Sequence, residues 1–277
     1  MSRSVMPSAT TSLPLASLVD AGAIAARNSA RWRPGLAAAG KPALHSEVFA
    51  SPNEAAGAGA ALALALDDWR NLPRGEGRAG GRGDAHGGTR AELDERPVLW
   101  VQTRDAARLS GRPYRAGLPK EMRDRVIHVL ADTAQDALFA LEEGVRCRDI
   151  AWVMGEIAGN PKALDFTASR RLTLASEKYG VPLFLVRLDA ARDLSSARMR
   201  WDVTSAPSDA PRWNAQAPGA PVWRAELFRA RGHAPGEWLL YEQGRTLKAR
   251  RERQADNDTG ALNWTAGLQR RRLSQQA

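Results

Sequence analysis

The sequence predicts an α/β fold: a mostly parallel sheet flanked by helices, ending in antiparallel strands. Three observations point there. Short, nearly unbroken apolar runs rich in β-branched residues recur at 44–49, 98–102, 126–130, 150–154 and 181–186. Runs of that length suit strands buried on both faces. Helical periodicity separates several of them, the mark of alternating strands and helices. After residue 198 the pattern changes to strict alternation, which means antiparallel strands with one wet face.

Taken in order, the run at 44–49 feeds a segment of small residues and then a helix over 55–69, where Ala58, Leu62, Leu66 and Trp69 share a stripe. A second helix over 133–144 opens on the capping-box pair Thr133 and Asp136, carries Leu138 and Leu141, and has Gly144 at its C-terminal end. The third, over 167–179, puts Ala168, Leu172, Ala175 and Tyr179 on one face and stops at Gly180. Beyond it Met199, Trp201 and Val203 alternate with Arg198, Arg200 and Asp202, and Trp223, Ala225 and Leu227 with Arg224 and Glu226. An apolar run at 238–241 follows a Gly/Pro turn, so about three antiparallel strands close the core.

Around this core the composition predicts appendages. Residues 1–40 read as a partly disordered arm, 41–243 as the α/β domain, and 244–277 as a basic tail. An insert at 71–97 holds seven glycines and almost nothing apolar, the composition of a mobile loop. Its Gly75-x-Gly77-x-x-Gly80 matches the dinucleotide-binding string but lacks the strand before it and the helix after it. Arg82-Gly83-Asp84 in the same loop is an adhesion tripeptide by letters only. The apolar stretch at 13–26 is broken by Asp20 and Gly22, too weak for a signal core or a membrane span. A cytoplasmic protein without membrane partners is expected.

Strand, small-residue loop, helix is also the layout of a phosphate-binding P-loop, here at Pro52, Asn53, Gly57, Ala58 and Gly59. A working loop needs converging backbone amides, a lysine on the β/γ oxygens and a Ser/Thr hydroxyl on magnesium. With Gly57 as the glycine before the lysine, Ala58 takes the lysine position and Gly59 the hydroxyl position. Lys41 lies before the strand. A magnesium-organising acid is wanted at a neighbouring strand tip. The run at 150–154 instead meets Met154, Gly155 and Glu156, the last read as a solvated acid opening a turn. Thr103 and Arg104 stand where a water-polarising carboxylate would follow the second strand. A tight ligand-free connection and weak nucleotide binding through amides alone both remain open.

Other chemistry is absent from the pattern. His45, His86, His128 and His233 have no metal-ligand spacing, and one cysteine excludes a disulfide framework or a cysteine-cluster metal site. Cys147, between Arg146 and Arg148 where a helix meets a strand, reads as a half-buried thiol whose flanking arginines can lower its pKa. No catalytic residue, cofactor or metal is expected.

The positive signal is charge. Of a net +9, residues 244–277 carry eight Lys/Arg against three Asp/Glu, a net +5. Arg245, Lys248, Arg250, Arg251 and Arg253 fall in a short helix-capable run, Arg270, Arg271 and Arg272 lie near the chain end, and Trp264 lies between the clusters. Cations against phosphates with an interleaved aromatic suit nucleic acid, and the same residues suit a partner protein or a merely solubilising tail. Arg170 and Arg171 on the third helix pose the same choice.

With these segments in place a family resemblance emerges. "LADTAQDAL" (130–138) and "RDIAWVM" (148–154) resemble a helix and following strand of RecA recombinases. "DFTASRRLTLASEKYGVPLFLVR", "SSARMRWDVTSAPS" and "PVWRAELFRARGHAPGEWLLYE" resemble the RecA-like inducible-mutagenesis accessory proteins of bacteria, the ImuA type, and "LHSEVFA" fits the same family. The likeness covers roughly residues 40–243. It implies a RecA-like, P-loop-type core and a role in SOS-induced translesion synthesis. It implies as partners an inactive Y-family-like polymerase protein, an error-prone replicative-type polymerase, RecA and DNA. The departures at Ala58, Gly59, Met154, Gly155, Thr103 and Arg104 imply that RecA's ATP chemistry does not carry over. A weak DNA-dependent ATPase and an SOS cell-division inhibitor are the rival readings.

Overall fold

A computed structural model describes residues 44–71, 94–214, 216–231 and 235–251. Its centre is a nine-stranded sheet. The chain runs β1 (His45–Ala50), α1 (Ala56–Asn71), β2 (Val98–Thr103), α2 (Arg104–Ser110), a 3₁₀ turn (Arg115–Gly117), β3 (Val126–Ala131), α3 (Ala134–Arg146), β4 (Val153–Ala158), α4 (Phe166–Tyr179), β5 (Leu183–Leu188), β6 (Met199–Ala206), β7 (Val222–Ala230), β8 (Gly236–Gln243) and β9 (Thr246–Arg250). Strand order is β3-β2-β4-β5-β1-β6-β7-β8-β9. Every pairing from β3 to β6 is parallel, and β6 to β9 pair antiparallel. The predicted α/β class, with a mostly parallel sheet ending in antiparallel strands, is the observed one.

Helices cover both faces of the parallel part, which is why most residues of its inner strands are apolar. α3 and α4 pack on one face, where Leu99, Val101, Leu138, Leu141, Val153, Ile157, Leu172, Leu183 and Leu185 form one buried cluster. On the other lie α1 and α2, α1 crossing β5, β1, β6 and β9. Thr133 caps α3 by accepting from Asp136 N at 3.1 Å, as its sequence requires. Asp165 does the same for α4 through Ala168 N at 2.7 Å, and Gly180 (φ 71°) ends α4 in the left-handed conformation glycine favours.

Five expectations need correcting. First, of the stripe Ala58, Leu62, Leu66 and Trp69 only Leu66 is buried; the other three lie on the half-buried side of α1, and Ala60, Ala61, Leu64 and Ala65 join Leu66 in the core. Second, α3 does not stop at Gly144 but continues to Arg146, and Gly144 is small because a Cβ there would collide with Leu99 and lie 3.1 Å from Val153. Third, the strand read at 150–154 is displaced to Val153–Ala158, because Cys147–Ile150 forms a turn. Fourth, Arg200 is not on a wet face. It is 3% exposed, its strand lying parallel beside β1 and its head packed on Phe49 and Phe228. Fifth, the helix-capable run after Gly244 is strand: Thr246–Arg250 pairs with β8 around the Gly244 turn (φ 65°).

Candidate functional site

At the carboxyl end of the parallel sheet, the 51–55 connection joins β1 to α1 beside a cavity of about 480 Å³. Phe49, Ala50, Ser51, Pro52, Asp189, Ala190, Ala191 and Asp202 line it. This is the edge where open α/β sheets hold ligands. Two of its backbone positions present no free donor. Pro52 has no N–H, and the Asn53 N–H points to Ser51 Oγ at 3.2 Å. Glu54 accepts from Ser205 N at 2.6 Å, which ties the connection to β6 and holds its carboxyl below the usual range. The charged side chains lining the cavity are carboxylates, Asp189 and Asp202, the latter paired with Arg192 at 2.8 Å, and neither is the cation a polyphosphate needs.

The glycines have a packing reason. Gly57 and Gly59 stand in the first turn of α1, not in the loop. A Cβ on Gly57 would lie 2.8 Å from Ala50 Cβ and 3.0 Å from Val186 Cγ1. One on Gly59 would lie 3.3 Å from the Trp223 indole. Small residues let α1 settle directly on β1, β5 and β7. Half-buried Ala58, between them, occupies the expected lysine position.

Glu156, expected as a solvated acid, is interior to β4 and 1% exposed. Oε1 accepts from Trp100 Nε1 at 2.7 Å and Gln102 Nε2 at 3.0 Å; Oε2 accepts from Ser110 Oγ at 2.6 Å. Burial pushes its pKa up, against the three hydrogen bonds that favour the anion. Gln102 is held in turn by Gly111 O at 2.8 Å and by His128 Nε2, which donates to its Oε1 at 2.9 Å. Both carboxylate oxygens are engaged, so the group knits β2, β4 and α2 together and offers no face to a metal or a water. Thr103 and Arg104 are likewise structural. Thr103 caps α2 through Ala106 N at 3.2 Å, and Arg104 pairs with Asp132. Only the α2 cap was open to sequence reasoning, as Thr103 three residues before Ala106.

A second buried polar group, missed in the sequence, lies under α4. Arg200 Nε meets Glu47 Oε2 at 2.7 Å, both residues essentially inaccessible, and Ser195 Oγ donates to Glu47 Oε1 at 2.6 Å. Nearby, Thr173 Oγ1 donates to Ser169 O at 3.0 Å, so at the 2.8 Å contact His45 Nδ1 must be the donor. Burial lowers the His45 pKa to about 4, so the imidazole is neutral at pH 7. Alternation had marked Arg200 as a surface residue, and the contrary signal was Glu47 inside an apolar run.

The expected basic residues divide. Arg245 lies in the β8–β9 turn, 3.8 Å from Glu121, while Lys248 and Arg250 stand on β9 and exposed Arg251 follows it. Arg171 is paired with Glu142 at 2.6 Å, whereas exposed Arg170 lies between Phe166 and Leu174 on the outer side of α4. Arg253, Trp264, Arg270, Arg271 and Arg272 lie outside the described residues, as do Lys41, His86, His233 and both glycine-rich string motifs. Cys147 is exposed rather than half-buried, at the α3 C-cap. Arg146 pairs with Glu142 and Glu143, and Arg148 lies over the Tyr179 ring. No group of three His, Cys, Asp or Glu that could hold a metal occurs among the described residues, and no described helix is long and apolar enough to cross a membrane.

Sheet and connection together define an α/β protein whose mostly parallel sheet borders a cavity at the carboxyl end of β1. Over 129 residues the chain is 36% identical to Protein ImuA of Caulobacter vibrioides strain NA1000 / CB15N, and equally to that of strain ATCC 19089 / CIP 103742 / CB 15. The match covers 43% of this chain and 51% of each relative, and it supports an ImuA-type family. The chain thus spans about half the length of the curated relatives it matches. No family model matches the chain.

Proposed function

We propose that this chain is a non-catalytic, cytoplasmic accessory protein of an SOS-induced translesion-synthesis assembly. It links an inactive Y-family-like polymerase protein and an error-prone replicative-type polymerase to DNA and to RecA. The observation that carries the reading is the similarity to Protein ImuA. Its non-catalytic half is supported by the cavity end of the sheet. Ala58 and Gly59 replace the phosphate-gripping side chains, Glu54 is tied to β6, and Glu156 is sealed among three donors. Such a site is best read as descended from a P-loop and kept to join strand to helix. The RecA-like surface remains for protein contacts.

The test is affinity capture with the tagged full-length chain against both polymerase-type partners. Association at micromolar concentration, insensitive to ATP, is the expected result. A chain that captures neither protein at that concentration ends the reading. ATP turnover lost in Glu156→Gln would restore the weak-ATPase alternative.

A further inference from the structure

Half of the basic residues assigned by sequence to a tail lie on or directly beside the last strand of the sheet. Of the eight Lys/Arg and three Asp/Glu after residue 243, four of the basic residues and none of the acids fall in residues 244–251. The β8–β9 hairpin is anchored from beneath. Asp67 of α1 accepts from Leu247 N at 2.8 Å, and Arg70 of α1 pairs with Glu121 at 2.6 Å and approaches Glu242 at 3.7 Å. Trp238, Leu240 and Leu247 bury the α1 side of the hairpin. The opposite side is that of α3 and α4, which pack on β1 to β4; among the described residues no helix packs over β7 to β9 there.

On this open side the register sets side chains in rows. One row runs Arg224, Leu239, Arg250 across β7, β8 and β9; the next runs Val222, Tyr241, Lys248. Three cations therefore surround an aromatic and an aliphatic side chain, with no acid in either row. The nearest acids, Glu226 and Glu237, form a row further along, and Glu226 is already paired with Arg192 at 2.5 Å. Arg224 and Arg250 are exposed, Lys248, Leu239 and Tyr241 half-buried, and the Arg250 guanidinium lies 5.7 Å from the Tyr241 ring centroid.

We propose that this face of the β7–β8–β9 sheet is a single-stranded nucleic-acid platform, with bases stacking on Tyr241 and phosphates held by Lys248 and Arg250. Three features favour it over an acidic protein segment. A ring and a guanidinium plane together form a π surface, Lys248 and Arg250 stand beside it on the neighbouring strand, and the hairpin is anchored from behind by α1. Duplex DNA, with its bases stacked inside, gains nothing from Tyr241. The inference deepens the accessory-protein reading by naming a surface for DNA, but its test needs no partner, so a failed partner capture leaves it undecided by that route alone.

The experiment is fluorescence anisotropy of a labelled oligothymidylate of about 15 nucleotides with the full-length chain over a salt series. Lys248→Ala with Arg250→Ala should weaken binding and flatten the log K against log salt slope by about 1.4, the share of two phosphate contacts on a single strand. Tyr241→Leu, which keeps an apolar side chain on the strand, should weaken binding roughly tenfold with the slope unchanged, whereas Tyr241→Phe should retain it. An unchanged melting temperature shows that each variant is folded. The proposal is overturned if the folded sheet variants bind as wild type while Arg270→Ala, Arg271→Ala and Arg272→Ala together abolish binding. It is equally overturned if duplex binds as tightly with the same Tyr241 dependence. Loss of protein capture alone in the sheet variants would make the face a protein interface and end the nucleic-acid assignment.

Discussion

At the residue scale, two buried ionisable groups impose opposite pH dependences. His45 has a pKa lowered to about 4 by burial, against 6.5 in the unfolded chain. Between those values the unfolded state binds the extra proton, so stability is full above pH 6.5 and is lost as pH falls toward 4, by up to about 3 kcal/mol. Glu156 has a raised pKa, again chiefly through burial. In its window the folded state holds the extra proton, so stability falls as pH rises from about 4.5, the ordinary glutamate value. Denaturant melts across pH should separate them. His45→Asn should lose the acid limb, and Glu156→Gln should lose the opposing slope. The glutamine also fits: its oxygen accepts from Trp100 and Gln102, and its amide donates to Ser110 Oγ, whose own proton turns to Ala106 O, now 3.0 Å away. Glu156→Ala instead leaves the Trp100 N–H unpaired and opens a cavity, costing about 2–4 kcal/mol. Neither role was legible in the sequence. A glutamate after an apolar run reads as the run's end unless the three donors from distant segments are known.

At the element scale the glycines of α1 show how far sequence carries. Position and order were legible: apolar run, small-residue turn, helix. The reason for the small residues was not, because it lies in contacts with Ala50, Val186 and Trp223, which only the folded sheet brings under α1. A phosphate cradle and a close helix–sheet seat both call for glycine, and a string of letters does not separate them. Substitution does. Gly57→Ala places a methyl 2.8 Å from Ala50 Cβ, a neighbour that cannot swing aside. Overpacking of about 1–3 kcal/mol then exceeds the gain of about 1 kcal/mol in helix propensity. Gly59→Ala, at 3.3 Å from the Trp223 indole, needs a shift of only a few tenths of an ångström and should be nearly neutral. Thermal melts should rank Gly57→Ala several degrees below Gly59→Ala. Equal stability of the two would mean that α1 does not seat on β1 through Gly57. Polar residues disguise both the displaced β4 and the added β9: Glu156, which Trp100, Gln102 and Ser110 satisfy, in the first, and the cations Lys248 and Arg250 in the second.

At the scale of the whole molecule, the sheet keeps a cavity at the edge where open α/β sheets hold ligands, while the groups described at that edge serve other purposes. A protein that binds Mg·ATP at a hundred times its Kd gains about 2.7 kcal/mol, several degrees in melting temperature for a domain of this size. Millimolar Mg·ATP should leave the melting temperature of this chain unchanged. Restoring the missing side chains should not rescue binding, which separates this protein from one that lacks a lysine alone. Ala58→Lys supplies a cation, but Gly59→Thr drives a branched side chain against the Trp223 indole. Glu54 stays held to Ser205 N, Asp189 on the cavity wall is still a carboxylate, and Asp202 keeps Arg192 engaged. Pro52 still lacks an amide and the Asn53 N–H still faces Ser51. The double variant is therefore expected to melt below wild type and to gain no protection from nucleotide. A nucleotide-dependent rise in its melting temperature would show that the loop retains a phosphate cradle and that only the side chains had been removed.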